Sequence, residues 1–120
     1  DQARETIALL HQLEFKNVYY QVQARVLLMK VYFETIQQDY ENIELVISLS
    51  QAFERFIRRN KTISSANRTA LLNFSLIVRR LAKLQDRVDW EAQSAIRLKQ
   101  ELKKLTPVYN KNWLLQQMQR

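Results

Sequence analysis

Residues 17–35 read NVYYQVQARVLLMKVYFET, and this stretch decides the fold. Wound at 3.6 residues per turn, its polar side chains fall into two stripes instead of one. Gln21 and Arg25 lie together, while Gln23, Lys30 and Glu34 lie on the opposite side. Between them run two apolar faces, Val18, Val22, Val26, Met29 and Phe33 on one and Tyr20, Ala24, Leu27 and Val31 on the other. A surface helix needs a single apolar stripe of roughly 100°. Two opposed faces predict a helix held between neighbours on both sides, as inner helices are in a stack of helical hairpins.

Downstream, a polar loop at 36–39 leads to a helix from about Tyr40 to Arg59, with one broad apolar face of Leu45, Val46, Leu49, Ala52, Phe53, Phe56 and Ile57. So short a connection makes these two helices antiparallel neighbours. Asn60-Lys61-Thr62 is a polar break, after which Ser64 or Ser65 can cap a helix running to about Gln85. That helix buries Ala70, Leu71, Phe74, Ile77, Val78, Leu81 and Leu84; Leu72 and Leu76 fall on its far side, among Arg79 and Lys83. They form a second packing contact or a partner patch. Asp89 is placed to cap a fifth helix, Trp90–Leu105, which Pro107 terminates. A short last helix spans about Asn110 to Gln119 and packs Trp113, Leu114 and Met118. Upstream, Gln2–Lys16 reads as a further helix with Ile7 and Leu10 at helical spacing. The expected architecture is one all-α domain over 1–120, its antiparallel hairpins stacked as a short right-handed solenoid of five to six helices. The Asp1-Gln2 start, without methionine, suggests a piece of a longer chain.

Composition narrows the chemistry. The chain has no glycine and a single proline, where average usage of roughly 7% would supply about eight glycines. Walker loops, dinucleotide fingerprints and nucleophile elbows all need glycine to bring backbone close to a ligand or to turn sharply. With no cysteine, disulfides and thiolate sites are excluded, which fits a reducing, cytoplasmic setting. The apolar run Val26–Met29 is far short of a membrane span. Charge is uneven: residues 1–60 carry seven Lys/Arg against eight Asp/Glu, and residues 61–120 carry twelve against four. A basic half can face nucleic acid, an acidic protein surface or a membrane, or simply be a solvated helix surface.

Candidate reactive groups do not assemble into constellations. His11 is the only histidine, too few for a two-histidine zinc site, and Glu14 three residues on does not assemble a triad around it. The carboxylate pairs Asp39/Glu41 and Asp86/Asp89 sit at helix boundaries, where a carboxylate caps the backbone and meets the positive end of the helix dipole. No catalytic residue, cofactor or metal is expected. Arg68, Arg79 and Lys83 share one side of the fourth helix. A solvated or partner-binding face there predicts stability indifferent to charge reversal at Arg79 and Lys83. Tyr19, Tyr20, Tyr32 and Phe33 form an aromatic strip whose spacing reads chiefly as core; Tyr19 and Tyr32, beside the polar stripes, are its candidates for exposure.

The run Asn17 to Tyr32 resembles the first helix of a tetratricopeptide-like hairpin. In that resemblance Ala24 stands at the helix crossing, and Ala52 with Phe56 forms the small-then-aromatic pair of the second helix. The continuation Ala52 to Lys61, with Leu72-Asn73-Phe74, is similar to the C-terminal part of large all-helical repeat proteins from Bacteroidetes. Ala24 and Ala52 stand 28 positions apart, so both helices outrun those of a 34-residue repeat, and the expected proline and glycine are missing. The resemblance implies a scaffold for protein–protein interaction and brings no catalytic residues. The expected function is therefore a non-catalytic helical repeat binding a protein partner, unknown and possibly acidic, or another part of its own parent chain. Arg68, Leu72, Leu76, Arg79, Lys83, Tyr19 and Tyr32 are the candidate contacts. The alternative is a basic module that binds nucleic acid through phosphate contacts.

Overall fold

The computed structural model describes residues 4–5, 18–36, 39, 42–85 and 92–119. They form five α-helices and no strand: α1 (Val18–Glu34), α2 (Asn42–Arg59), α3 (Ser65–Leu84), α4 (Ala92–Lys104) and α5 (Lys111–Gln117). Arg4 and Glu5 are also helical, but the rest of the upstream helix, His11 and the Asp86/Asp89 pair lie outside the described residues. The helix limits follow local chemistry. Ser64 caps α3, its hydroxyl accepting the Asn67 N–H at 3.2 Å, as N-cap serines do. The end of α2 is closed by Asn60, whose side-chain amide donates to the Phe56 carbonyl at 2.7 Å. Asn110 enters α5 at φ 54°, the one left-handed residue among those described; in a chain without glycine, asparagine is the residue type that tolerates this region best.

Side chains at helical spacing build one core. Val22, Val26, Met29 and Phe33 of α1 meet Val46, Phe53, Phe56 and Ile57 of α2, and α3 adds Leu71, Phe74, Ile77, Val78 and Leu81. Ile36, read as loop from its polar surroundings, is buried in the turn after α1. The contact of α2 with α3 is built around a pair of serines. Ser50 and Ser75 are fully buried, with hydroxyls 2.9 Å apart. Ser75 Oγ donates to the Ser50 carbonyl at 3.0 Å and Ser50 Oγ approaches the Ser75 carbonyl at 3.2 Å. Small side chains bonded to the facing backbone let two helices approach closely without stranding a polar group. The crossing expected at Ala24 is not part of this core: Ala24 and Ala52 are only half-buried.

The far end is held by aromatics. Trp113 of α5 packs edge-on to Phe33 (centroids 5.6 Å apart, 70°) and its Nε1 donates to Glu34 Oε1 at 3.0 Å, tying α5 back to α1. Phe74 touches both Trp113 and Tyr109. Two bonds fix the α4–α5 connection on α3: the Tyr109 N–H to the Ala70 carbonyl at 3.1 Å and the Asn73 amide to the Pro107 carbonyl at 3.0 Å.

The two-faced reading of α1 is half realised. Its first face is core, but Tyr20 and Leu27 on the second are 55% and 42% exposed, and neither Ala24 nor Val31 joins the core cluster. No described helix is long and apolar enough to cross a membrane.

Candidate interaction groove

A cavity opens between α1, the α2–α3 turn and α3. The opening is a cavity of about 500 Å³ whose walls are Val18, Tyr19, Val22 and Gln23 of α1, the turn from Thr62 to Ser64, Asn67, Ala70 and Leu71 of α3, and Tyr109. Its wall is apolar at depth and carries neutral hydrogen-bonding groups, Gln23, Thr62, Ser64 and Asn67, at the mouth. Among the described lining residues none is charged. Tyr19, 64% exposed, stands at the rim beside Tyr20, whose ring meets it edge-on at 6.1 Å. A concave apolar wall with a few convergent polar groups is the ordinary form of a ligand or peptide site.

The candidate contacts separate into groups. Tyr19 belongs to the groove. Tyr32 is half-buried and packs against the core, while Tyr20, counted with the core by spacing, is exposed. Leu72 and Leu76 do fall together on the far side of α3, lining a shallower depression of about 330 Å³ with Glu54, Arg58, Thr69, Asn73 and Arg79. Arg79 is not a free cation of that face. Its Nη1 donates to Glu54 Oε1 at 2.7 Å and to Ser50 Oγ at 2.8 Å, with 16% and 21% of the Arg79 and Glu54 side chains exposed. The solvated-face expectation therefore fails for Arg79, because the guanidinium completes the serine network at the helix crossing. It stands for Lys83, which is exposed. Arg68 is also turned inward: Nη2 donates to the Asn60 and Ile63 carbonyls at 3.1 and 3.2 Å, clamping the α2–α3 turn, while its buried Nε meets no hydrogen-bond partner among the described residues.

Beside the groove the same turn gathers cations. Arg58, Arg59 and Lys61 are exposed around the end of α2, and the Arg25 guanidinium lies 4.3 Å over the Phe56 ring. Burial first, and then the neighbouring Arg59 charge, hold the Arg25 pKa below its usual value. Glu54, the acid of α2 closest in sequence to this corner, is already taken by Arg79. The lone Lys30 offers a contrast: its ammonium lies 5.5 Å from the Trp113 ring, and burial lowers its pKa while Glu34 opposes the shift. Among the described residues no three His, Cys, Asp or Glu side chains gather as a metal site would require. The groove was not legible beforehand, because its walls come from three separate segments; the alternation of Val18, Tyr19, Val22 and Gln23 across two stripes was the only sequence signal pointing there. No family model, curated protein or solved structure matches the chain.

Proposed function

We propose that this chain is a non-catalytic helical scaffold, a tetratricopeptide-like stretch of a right-handed solenoid, which binds another protein in the groove between α1 and α3. The observation that carries the reading is the groove itself: an apolar wall, open to solvent, with neutral hydrogen-bonding groups at its mouth and an exposed tyrosine at its rim. Exposed aromatics beside an apolar cleft supply most of the energy in many protein contacts. The solenoid reading is supported by the serial antiparallel packing of α1 on α2 and α2 on α3, and by the second apolar face of α1, placed where a preceding hairpin would stack.

The test is selection of a random peptide library displayed on phage against the protein and against Asn67→Trp. Asn67 is exposed at the groove mouth, and its bond to Ser64 runs through the backbone, so the substitution obstructs the groove and spares the cap. Peptides that bind the parent and lose binding to Asn67→Trp are the expected result. Enrichment of none, or of peptides indifferent to the substitution, refutes the groove as a docking site.

The nucleic-acid reading draws on one observation. Glu101 is the only acid among the described residues of 61–120, and it is paired with Arg80. Phosphate-driven binding falls steeply with salt, so failure to retain a single-stranded oligonucleotide at about 50 mM salt excludes it.

A further inference from the structure

The groove and the cationic corner share the α2–α3 turn: Thr62 and Ile63 are groove wall, and Arg59 and Lys61 immediately precede them. Cations at a helix C-terminus are ordinarily answered by the last carbonyls of that helix. Of the last carbonyls of α2, Phe56 accepts the Asn60 amide and Ile57 the Asn60 N–H, while the turn carbonyls of Asn60 and Ile63 accept from Arg68. Arg25 lies against an aromatic ring instead of a carboxylate. Arg25, Arg59 and Lys61 make no ion pair among the described residues. An uncharged apolar trough thus runs beside a lip of positive charge that the described residues do not neutralise.

We infer that the occupant of the groove is a short amphipathic segment of an acidic protein, its apolar side chains on Val18, Tyr19 and Ala70 above the buried Val22 and Leu71, and its carboxylates against Arg25, Arg59 and Lys61. This rests on the groove reading above and adds the chemistry of the partner. Guanidinium groups favour carboxylates geometrically, through paired N–H donors. A guanidinium already resting on an aromatic face gives up less freedom when it binds. The apolar trough matches the aliphatic side chains of a protein segment; a single-stranded nucleic acid would engage it through bases stacked on Tyr19 and Tyr20, which the oligonucleotide arm below distinguishes.

The test uses the peptides that the library selection yields, compared between the parent protein and the double variant Arg59→Glu/Lys61→Glu. Both positions are exposed, so the fold is retained, which circular dichroism checks. Groove-dependent peptides are expected to combine apolar residues at helical spacing with an excess of Asp and Glu. Their affinity should fall about tenfold or more in the double variant at low salt, and the difference should shrink as salt screens the lip. Peptides that need the groove but carry no acidic excess, and bind the double variant equally, overturn the acidic-partner inference while the groove reading stands. Absence of any groove-dependent peptide overturns both. A single-stranded oligonucleotide that binds through the lip and is unaffected by Asn67→Trp, with no acidic peptide enriched, assigns the charge to nucleic acid instead and equally overturns the inference.

Discussion

Replacing Ser75 probes the packing of α2 on α3. Ser75→Ala removes the 3.0 Å bond to the Ser50 carbonyl and the hydroxyl–hydroxyl contact, but leaves Ser50 Oγ bonded to Arg79 at 2.8 Å. No buried polar group is stranded, so the loss is the net value of one or two hydrogen bonds, about 1–2 kcal/mol. Ser75→Leu removes the same bonds and also forces a branched side chain into a fully buried position facing the backbone of α2. Overpacking of that kind costs roughly 1–3 kcal/mol more, for a total of about 2–5 kcal/mol. At about 4 °C per kcal/mol for a domain of this size, the alanine variant should melt about 4–8 °C below the parent and the leucine variant about 8–20 °C below. Thermal unfolding followed by far-ultraviolet circular dichroism measures both. A leucine variant as stable as the alanine one would show that α2 and α3 do not cross at these serines, and the account of the α2–α3 interface would fall.

Two further predictions concern charge. Arg79→Ala leaves Glu54 partly buried and unpaired and takes a donor from Ser50, so it should destabilise the fold by about 1–3 kcal/mol in urea unfolding, whereas Lys83→Glu on the exposed side of the same helix should stay within about 0.5 kcal/mol of the parent; equal effects would contradict the pairing. For Lys30, burial depresses the folded pKa below the ordinary 10.5 against the opposing pull of Glu34. Between that lowered value and 10.5 the unfolded chain binds more protons, so stability rises with pH in this window. Wild type should therefore gain stability relative to Lys30→Gln as pH climbs towards 10.5, and melts of the pair showing a loss instead would refute the assignment.

Helix identity was legible from the sequence for physical reasons that act locally. A 3.6-residue apolar period, a serine able to cap at Ser64, and proline after α4 set each segment by interactions reaching only a few residues along the chain. Most core positions followed, since Val22, Val26, Met29 and Phe33 line one apolar face of α1, and Phe53, Phe56 and Ile57 that of α2. Lack of glycine and cysteine also removed whole classes of chemistry before any geometry was considered.

Tertiary structure decided the rest, because it turned on which helix faces meet. The resemblance put Ala24 and Ala52 at a helix crossing; both are half-buried, and the fully buried polar contact between α2 and α3 is made by Ser50 and Ser75. Their polarity hid them, although Ser50 falls in register with Val46, Phe53 and Ile57. Arg79 read as a surface cation because its partner Glu54 stands 25 residues away on another helix, and no local pattern encodes such a pairing. Tyr20 fell on an apolar face that the core does not reach, and the groove is walled by three separate segments. The sequence by itself determined which segments are helices and which faces are apolar, through forces that act within a few residues. Which apolar faces became core, and which were left exposed as at Tyr20 and Leu27, depended on contacts between residues far apart in the chain, and those only the assembled fold specifies.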